Sequence, residues 1–302
     1  MTTFEGLSCA AAAAVDEPLP GSATHVTGWL CVEQPGAWGR DVIGDEVLGA
    51  AITAELAART KAAHVRPTLI RRPGRNEFTG ARTVLLASSR AAGSWCERLE
   101  ITDLRQLLDI DLHLLAGPPP GIGAPVADPV VLVCAHGKRD QCCALLGRPI
   151  AATLAADHPQ VWECSHTGGH RFAPAVVLLP SGLTYGRVDA AAIAEAIAAT
   201  RRGAVSLAGL RGRSCYKPLE QIAELAVREQ LSAGVDDLVV CAEPESVTTD
   251  PTAAGAAVVT HRDGRRWRVT ARTVAYPPRQ ASCGAAAKPV TALVPDAIQL
   301  LP

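Results

Sequence analysis

Hydrophobic and polar positions run along the chain as two successive blocks of one order, strand, loop, helix. The first opens with THVTGWLCVE, a strand-like run, then a Gly/Pro turn, PGAWGRD, then the helical pattern VIGDEVLGAAITAELAART. HVRPTLI predicts a second strand, RRPGR a basic turn, ARTVLLAS a third strand, and ITDLRQLLDIDLHLL a closing helix. The segment GPPPGIGAPVADP cannot continue a helix or enter a central strand, and so marks a boundary. Beyond it the order begins again. PVVLVCAHG reads as a buried strand, KRDQCCALLGRPIAATLAADH as the start of a helix, and VWECSHT as a second strand leading into GGHRFAP. AVVLLPSGLTYGRV predicts a hairpin turning on Pro180-Ser181-Gly182, and DAAAIAEAIAATRRG a closing helix. The tail holds a helical run, PLEQIAELAVREQLSAG, a strand, DDLVVCAE, and the hairpin AAVVTHRDGRRWRVTARTVAY with an Asp-Gly turn.

The expected fold is therefore α/β in three parts: residues 21–117, residues 127–203, and a smaller α/β region over 204–302. Laying the first block over the second aligns Gly39-Arg40-Asp41 with Lys138-Arg139-Asp140, and Arg71 and Arg75 with His166 and His170. An internal duplication would produce this; so would the strand-loop-helix order that any two α/β units share.

Charge and composition narrow the setting. With 29 basic against 30 acidic residues, no global field draws the 302-residue chain to nucleic acid or an anionic membrane. The start has an Ala run but no basic region before it, and it carries Glu5, a poor match to a secretory signal. No later stretch offers the ~20 apolar residues that span a bilayer. A cytoplasmic location is the expectation, and there ten cysteines are not a disulfide framework.

Four of them, Cys134, Cys142, Cys143 and Cys164, fall in one short region. Cys134 is expected at the end of a buried strand and Cys143 in the first turn of the next helix. Thiolates there lie near the positive end of a helix dipole, which favours the metal-binding form. In SHTGGHRFAP, two glycines between His166 and His170 let the backbone curl so that both imidazoles converge. Cys9, Cys31, Cys96, Cys215, Cys241 and Cys283 show no partner spacing and read as small buried hydrophobes.

These segments carry a resemblance. His166-x3-His170-x2-Ala173-Pro174 is similar in spacing to the C-x3-C-x2-A-P loop of thioredoxin-like 2Fe-2S ferredoxins. CAHGKRDQCC with HTGGHRFAP resembles the sucrase/ferredoxin-like family more closely, and GSATHVTGWLCVEQPGAWG and LIRRPGR extend the likeness over roughly the first two thirds of the chain. The resemblance implies a thioredoxin-like domain holding one 2Fe-2S cluster on Cys134, Cys143, His166 and His170, an electron-transfer role, and redox partner proteins. It also implies a proline at Pro174 in the place of a cis-proline. Spacing alone leaves Cys142 and Cys143 open; the family pattern places the second cysteine nine positions after the first, at Cys143. The first block, with Pro35, Gly44, Arg71 and Arg75 at the aligned positions, holds no ligand.

Arg139, Cys142, Cys164 and Arg171 are candidates to surround the cluster, with Asp140 either beside it or capping the helix. His136 reads as a hydrogen-bonding residue rather than a ligand. Two neutral imidazoles in place of two thiolates should raise the potential, as in Rieske centres, from about −400 mV to a range of about −150 to +300 mV. Rival readings are a structural Cys2His2 zinc site, whose usual C-x2-4-C spacing is absent, and a thiol-disulfide enzyme, for which no C-x-x-C exists. No G-x-G-x-x-G follows a strand, so electrons are expected from a separate reductase. The basic runs, Arg71-Arg72 with Arg75, Arg201-Arg202, and Arg211 with Arg213, could attract an acidic electron donor but read rather as solvated turns.

Overall fold

A computed structural model describes residues 4, 6–74, 78, 80–244 and 252–302; Arg75 lies outside them. A short helix α1 (Cys9–Ala14), capped by the Ser8 hydroxyl, precedes the first unit. That unit runs β1 (Gly28–Glu33), α2 (Ala50–Ala62), β2 (Val65–Arg71), β3 (Arg82–Ser88) and β4 (Trp95–Ile101). Where one closing helix was expected, two 3-10 turns form, Leu104–Asp109 and Leu112–Ala116. Asp103 and Asp111 cause the break. Each carboxylate accepts the backbone N–H two residues on, from Arg105 and His113, and starts a new turn while Ile110 stays extended.

A two-residue strand, β5 (Ala124–Pro125), lines the edge of β4. The second unit follows: β6 (Val130–Cys134), α3 (Gln141–Ala155), β7 (Val161–Cys164), β8 (Ala175–Leu179), β9 (Leu183–Gly186) and α4 (Ala190–Arg201). In both units the first two strands pair in parallel, and a hairpin then adds antiparallel to the first strand. The strand orders are β4-β3-β1-β2 and β9-β8-β6-β7. In the second unit, with α3 and α4, this is the order of a thioredoxin-like fold. The units meet where β2 pairs antiparallel with β7, Ile70 opposite Cys164 and Arg71 opposite Glu163.

One ten-stranded sheet therefore runs through both units, extended at its far edge by β10 (Leu210–Arg213) on β9. Alternation along the strands sorts its cores. Trp29 and Cys31, Leu132 and Cys134, Trp162 and Cys164 belong to one core common to both units. Their neighbours turn the other way: Leu30 and Val32 into a core of the first unit, Val131 and Val133 into one of the second.

After β10 comes α5 (Pro218–Arg228), then an antiparallel sheet of β11 (Leu238–Ala242), β12 (Ala253–His261), β13 (Arg266–Gln280) and β14 (Ala287–Leu301). The Asp263-Gly264 turn joins β12 to β13, with Gly264 at positive φ. β14 carries Pro289 and Pro295, which mask it in the pattern; an edge strand tolerates them because one row of its backbone groups is unpaired. The RGR run is not a solvated turn. Arg211 and Arg213 are fully buried in β10, Arg213 donating to the carbonyls of Arg90, Ala91, Ser181 and Val235 and lying 3.8 Å from Glu224. Among the described residues no helix is long and apolar enough to cross a membrane.

Candidate metal centre

Cys134 ends β6 with its side chain in the core common to both units. The chain then turns through Ala135–Arg139, and Asp140 caps α3, its carboxylate accepting the Cys142 N–H at 2.9 Å. Cys142 and Cys143 are successive residues of the first helical turn and so point about 100° apart. Cys143 shares the core with Cys134; Cys142 faces α1. The difference follows from helix geometry, and the adjacent pair is thereby split between two environments.

The histidine loop follows β7. Gly168 and Gly169 both have positive φ, +100° and +70°, and a Cβ on the second would strike Arg211 at 2.2 Å. Only glycine permits this curl without strain. It brings the His166 and His170 rings to 4.9 Å between centroids. The Ala173-Pro174 peptide that closes the loop is cis.

Cys134, Cys143 and His166 each offer one ligand atom within 4.8 Å of the others, and His170 adjoins that group through its contact with His166. The Nδ1 atoms of His166 and His170 are buried and have no hydrogen-bond partner among the described residues. An unpaired buried imidazole nitrogen costs about 1–3 kcal/mol, and two beside a cysteine pair fit a group that binds through them. A 2Fe-2S cluster, which takes four Cys and His donors, meets that donor set.

The electrostatics agree with a buried thiol–thiolate pair. The Cys143 thiol beside it holds Cys134 well below the usual thiol range, against the opposing effect of burial, and His166 adds to the lowering. Cys143 itself is pushed up by the Cys134 thiolate and by burial. His170 is lowered by burial and by the neighbouring His166. Cys164, opposite Cys134 in the β6–β7 ladder, is raised by burial and is a neutral thiol of the core wall.

His136 makes the hydrogen bonds expected of it, whereas Arg66, Ser165, Leu69 and Arg211 were not legible beforehand. His136 accepts the His166 N–H on Nδ1 at 3.1 Å, so Nε2 carries the proton and donates to the Gly39 carbonyl at 3.0 Å. Both nitrogens are used and neither is free to bind metal. Arg66 of β2 donates to the His166 carbonyl at 2.6 Å. Ser165 and Leu69 exchange two bonds across the seam between the units, at 2.7 and 2.9 Å. Arg211 donates to the Gly168 carbonyl at 3.3 Å, and burial with the nearby Arg171 and Arg187 brings its pKa down to about 9. Arg171 lies on Phe172 and pairs with Glu17 at 2.7 Å, while Arg139 lines an open groove beside His166 with Arg40, Asp41 and Arg66.

The model of the family described as Suc_Fer-like, sucrase/ferredoxin-like, matches residues 19–212. The chain belongs to that family. No curated protein and no solved structure matches it. The match covers both units of the large sheet, so family membership embraces the first unit as well as the one with the candidate donors. It ends in β10, before α5 and the second sheet.

The sequence expectation for Cys9 and Cys283 needs correcting. They were read as isolated hydrophobes, yet the fold brings both against Cys142, at 3.7 and 3.3 Å between sulfurs. Cys9 sits on α1 and Cys283 in the turn between β13 and β14. No spacing could reveal the group, since 131 or more residues separate Cys9 and Cys283 from the Asp140-Cys142 step.

Proposed function

We propose that the chain is an electron carrier holding one 2Fe-2S cluster on Cys134, Cys143, His166 and His170. The observation that carries this reading is the pair of orphaned Nδ1 atoms in the curled loop beside a buried thiol–thiolate pair. Such a cluster supplies reversible one-electron chemistry, and two neutral imidazoles in place of thiolates favour the reduced form. Cationic side chains, Arg211 buried and Arg66 half-buried, add to that. Arg66 and Arg211 hold the loop through its carbonyls at His166 and Gly168, and a positive charge in a region of low dielectric favours added negative charge.

Electrons come from and pass to separate redox proteins. The groove lined by Arg40, Arg66 and Arg139 beside His166 suits an acidic partner surface. A single zinc ion is the weaker reading because His170 stands beside the three-residue group rather than within it.

The test is chemical. Protein purified without oxygen should be coloured, bleach on reduction, and hold iron and acid-labile sulfide at about two each per chain. A colourless protein with zinc on these residues and no sulfide would overturn the proposal.

A further inference from the structure

Outside the proposed cluster site the fold assembles a second group of metal-binding side chains. Cys9, Cys142 and Cys283 come from α1, the first turn of α3 and the β13–β14 turn, and their sulfurs lie 3.7, 3.3 and 3.5 Å apart. The Asp140 carboxylate faces them, its two oxygens 3.5 and 3.7 Å from the Cys9 sulfur. All four residues offer one ligand atom within 4.8 Å of the rest. A tetrahedral zinc with Zn–S near 2.3 Å and Zn–O near 2.1 Å places its sulfurs about 3.8 Å apart and its sulfurs and oxygen about 3.6 Å apart. The observed distances approach both values.

We propose that Cys9, Cys142, Cys283 and Asp140 form a structural zinc site. Thiolates that share one ion sit this close, whereas an iron–sulfur cluster spreads its thiolates over several irons. Three thiolates and a carboxylate need positive surroundings, and these are built in. The site lies at the N-terminus of α3, Asp140 accepts the Cys142 N–H at 2.9 Å, and its other oxygen accepts the Cys283 N–H at 2.9 Å and the Ser282 hydroxyl at 2.8 Å. Hydrogen bonds to a ligating carboxylate fix its orientation for the metal.

The site would serve as a clasp. α1 and the β13–β14 turn lie far apart in sequence from α3, and a shared ion ties both to the helix that carries Cys143. Asp140 also reaches toward the cluster site, its Oδ2 lying 3.9 Å from His170 Nε2. Loss of the clasp should therefore loosen the cover over His170 without removing a cluster ligand.

Metal analysis of the full-length protein separates this proposal from the cluster reading. The wild type should carry about one zinc per chain besides its iron. Cys283→Ser, in a turn, and Cys9→Ser should each lose the zinc and keep the iron, while Cys143→Ser should lose the iron and keep the zinc. Cobalt added to zinc-free Cys143→Ser protein should give the intense visible bands of a tetrahedral thiolate site, and Cys283→Ser placed in the same background should abolish them. Zinc-free wild type that takes up neither zinc nor cobalt, a disulfide among the three cysteines in the mass of the native protein, or iron loss in Cys9→Ser and Cys283→Ser would each overturn it. If the cluster reading fails and no iron is found, the zinc and cobalt results still decide this one.

Discussion

Gly147 of α3 tests whether the close approach of helix and strand builds the cysteine pair. It lies one turn beyond Cys143, on the same face of the helix. A Cβ built there would fall 2.2 Å from the Cys134 carbonyl oxygen and 3.2 Å from its carbon. Backbone, not a flexible side chain, is struck, so Gly147→Ala forces α3 away from β6 by roughly 1 Å. Overpacking of this kind costs about 3 kcal/mol at its upper range, and the better helix propensity of alanine returns about 1 kcal/mol. The net loss of about 2 kcal/mol lowers Tm by about 4–8 °C at the scale of a domain of this size. Because Cys143 moves with the helix, iron per chain should fall with Tm, and the remaining colour should be lost faster in air. Thermal unfolding followed by circular dichroism and iron assay on the same preparation reads both. Helix propensity alone predicts the opposite sign. A Gly147→Ala protein as stable as the wild type, with its iron intact, would refute the close-approach argument.

The ligand choice at the adjacent cysteines predicts that Cys143→Ser abolishes visible absorbance whereas Cys142→Ser retains it; the reverse pattern in iron assays would move the ligand by one residue. His166→Cys or His170→Cys should keep iron bound and lower the midpoint potential by on the order of 100 mV or more, read by spectroelectrochemistry, since each adds a thiolate charge. An unchanged potential would remove histidine from the ligand set. Asp140 predicts a pH effect: burial pushes its carboxyl up, but the Cys283 N–H, the Ser282 hydroxyl and the Cys142 N–H outweigh this and leave its pKa below the usual range. Its stabilisation is therefore full above about pH 4 and fades as pH falls through the lower, folded value. In melts of metal-free protein between pH 6 and pH 3 (roughly), Asp140→Asn should be less stable than wild type at the upper end and converge with it at the lower.

The strand-loop-helix order was legible because strands such as β6 and β8 are continuous apolar runs and α3 and α4 begin at aspartates, Asp140 and Asp189, whose side chains accept a backbone N–H. The candidate donor segments could be picked out for a local reason too: Cys134 to Cys143 and His166 to His170 are each one short stretch. Most of what failed was non-local. Cys9 and Cys283 gain meaning only when α1 and the β13–β14 turn close over α3. Arg211 and Arg213 read as solvent-facing charge, because a burial satisfied by carbonyls such as Ser22, Gly168, Arg90 and Val235 leaves no periodic trace. The single closing helix of the first unit failed because Asp103 and Asp111 competed with helix propensity.

The first unit, which holds none of the four candidate donors, is explained by what it does for the second. Without β2, β7 would be the edge strand of a thioredoxin-like sheet, and the histidine loop at its end would hang from unpaired backbone. With β2 in place, Ile70 and Arg71 face Cys164 and Glu163, Leu69 and Ser165 exchange two bonds, and Arg66 grips the His166 carbonyl. Gly39, in the loop after β1, holds His136, and His136 holds the His166 N–H. The backbone donor and the carbonyl of His166 are thus both bound through the first unit, the first by way of His136 and the second by Arg66. Arg71 completes the seam with a 2.7 Å pair to Glu163 while lying 4.2 Å over Trp38. Two units of the same topology can then divide the labour: one presents the donors, and the other fixes the loop from which the donors converge.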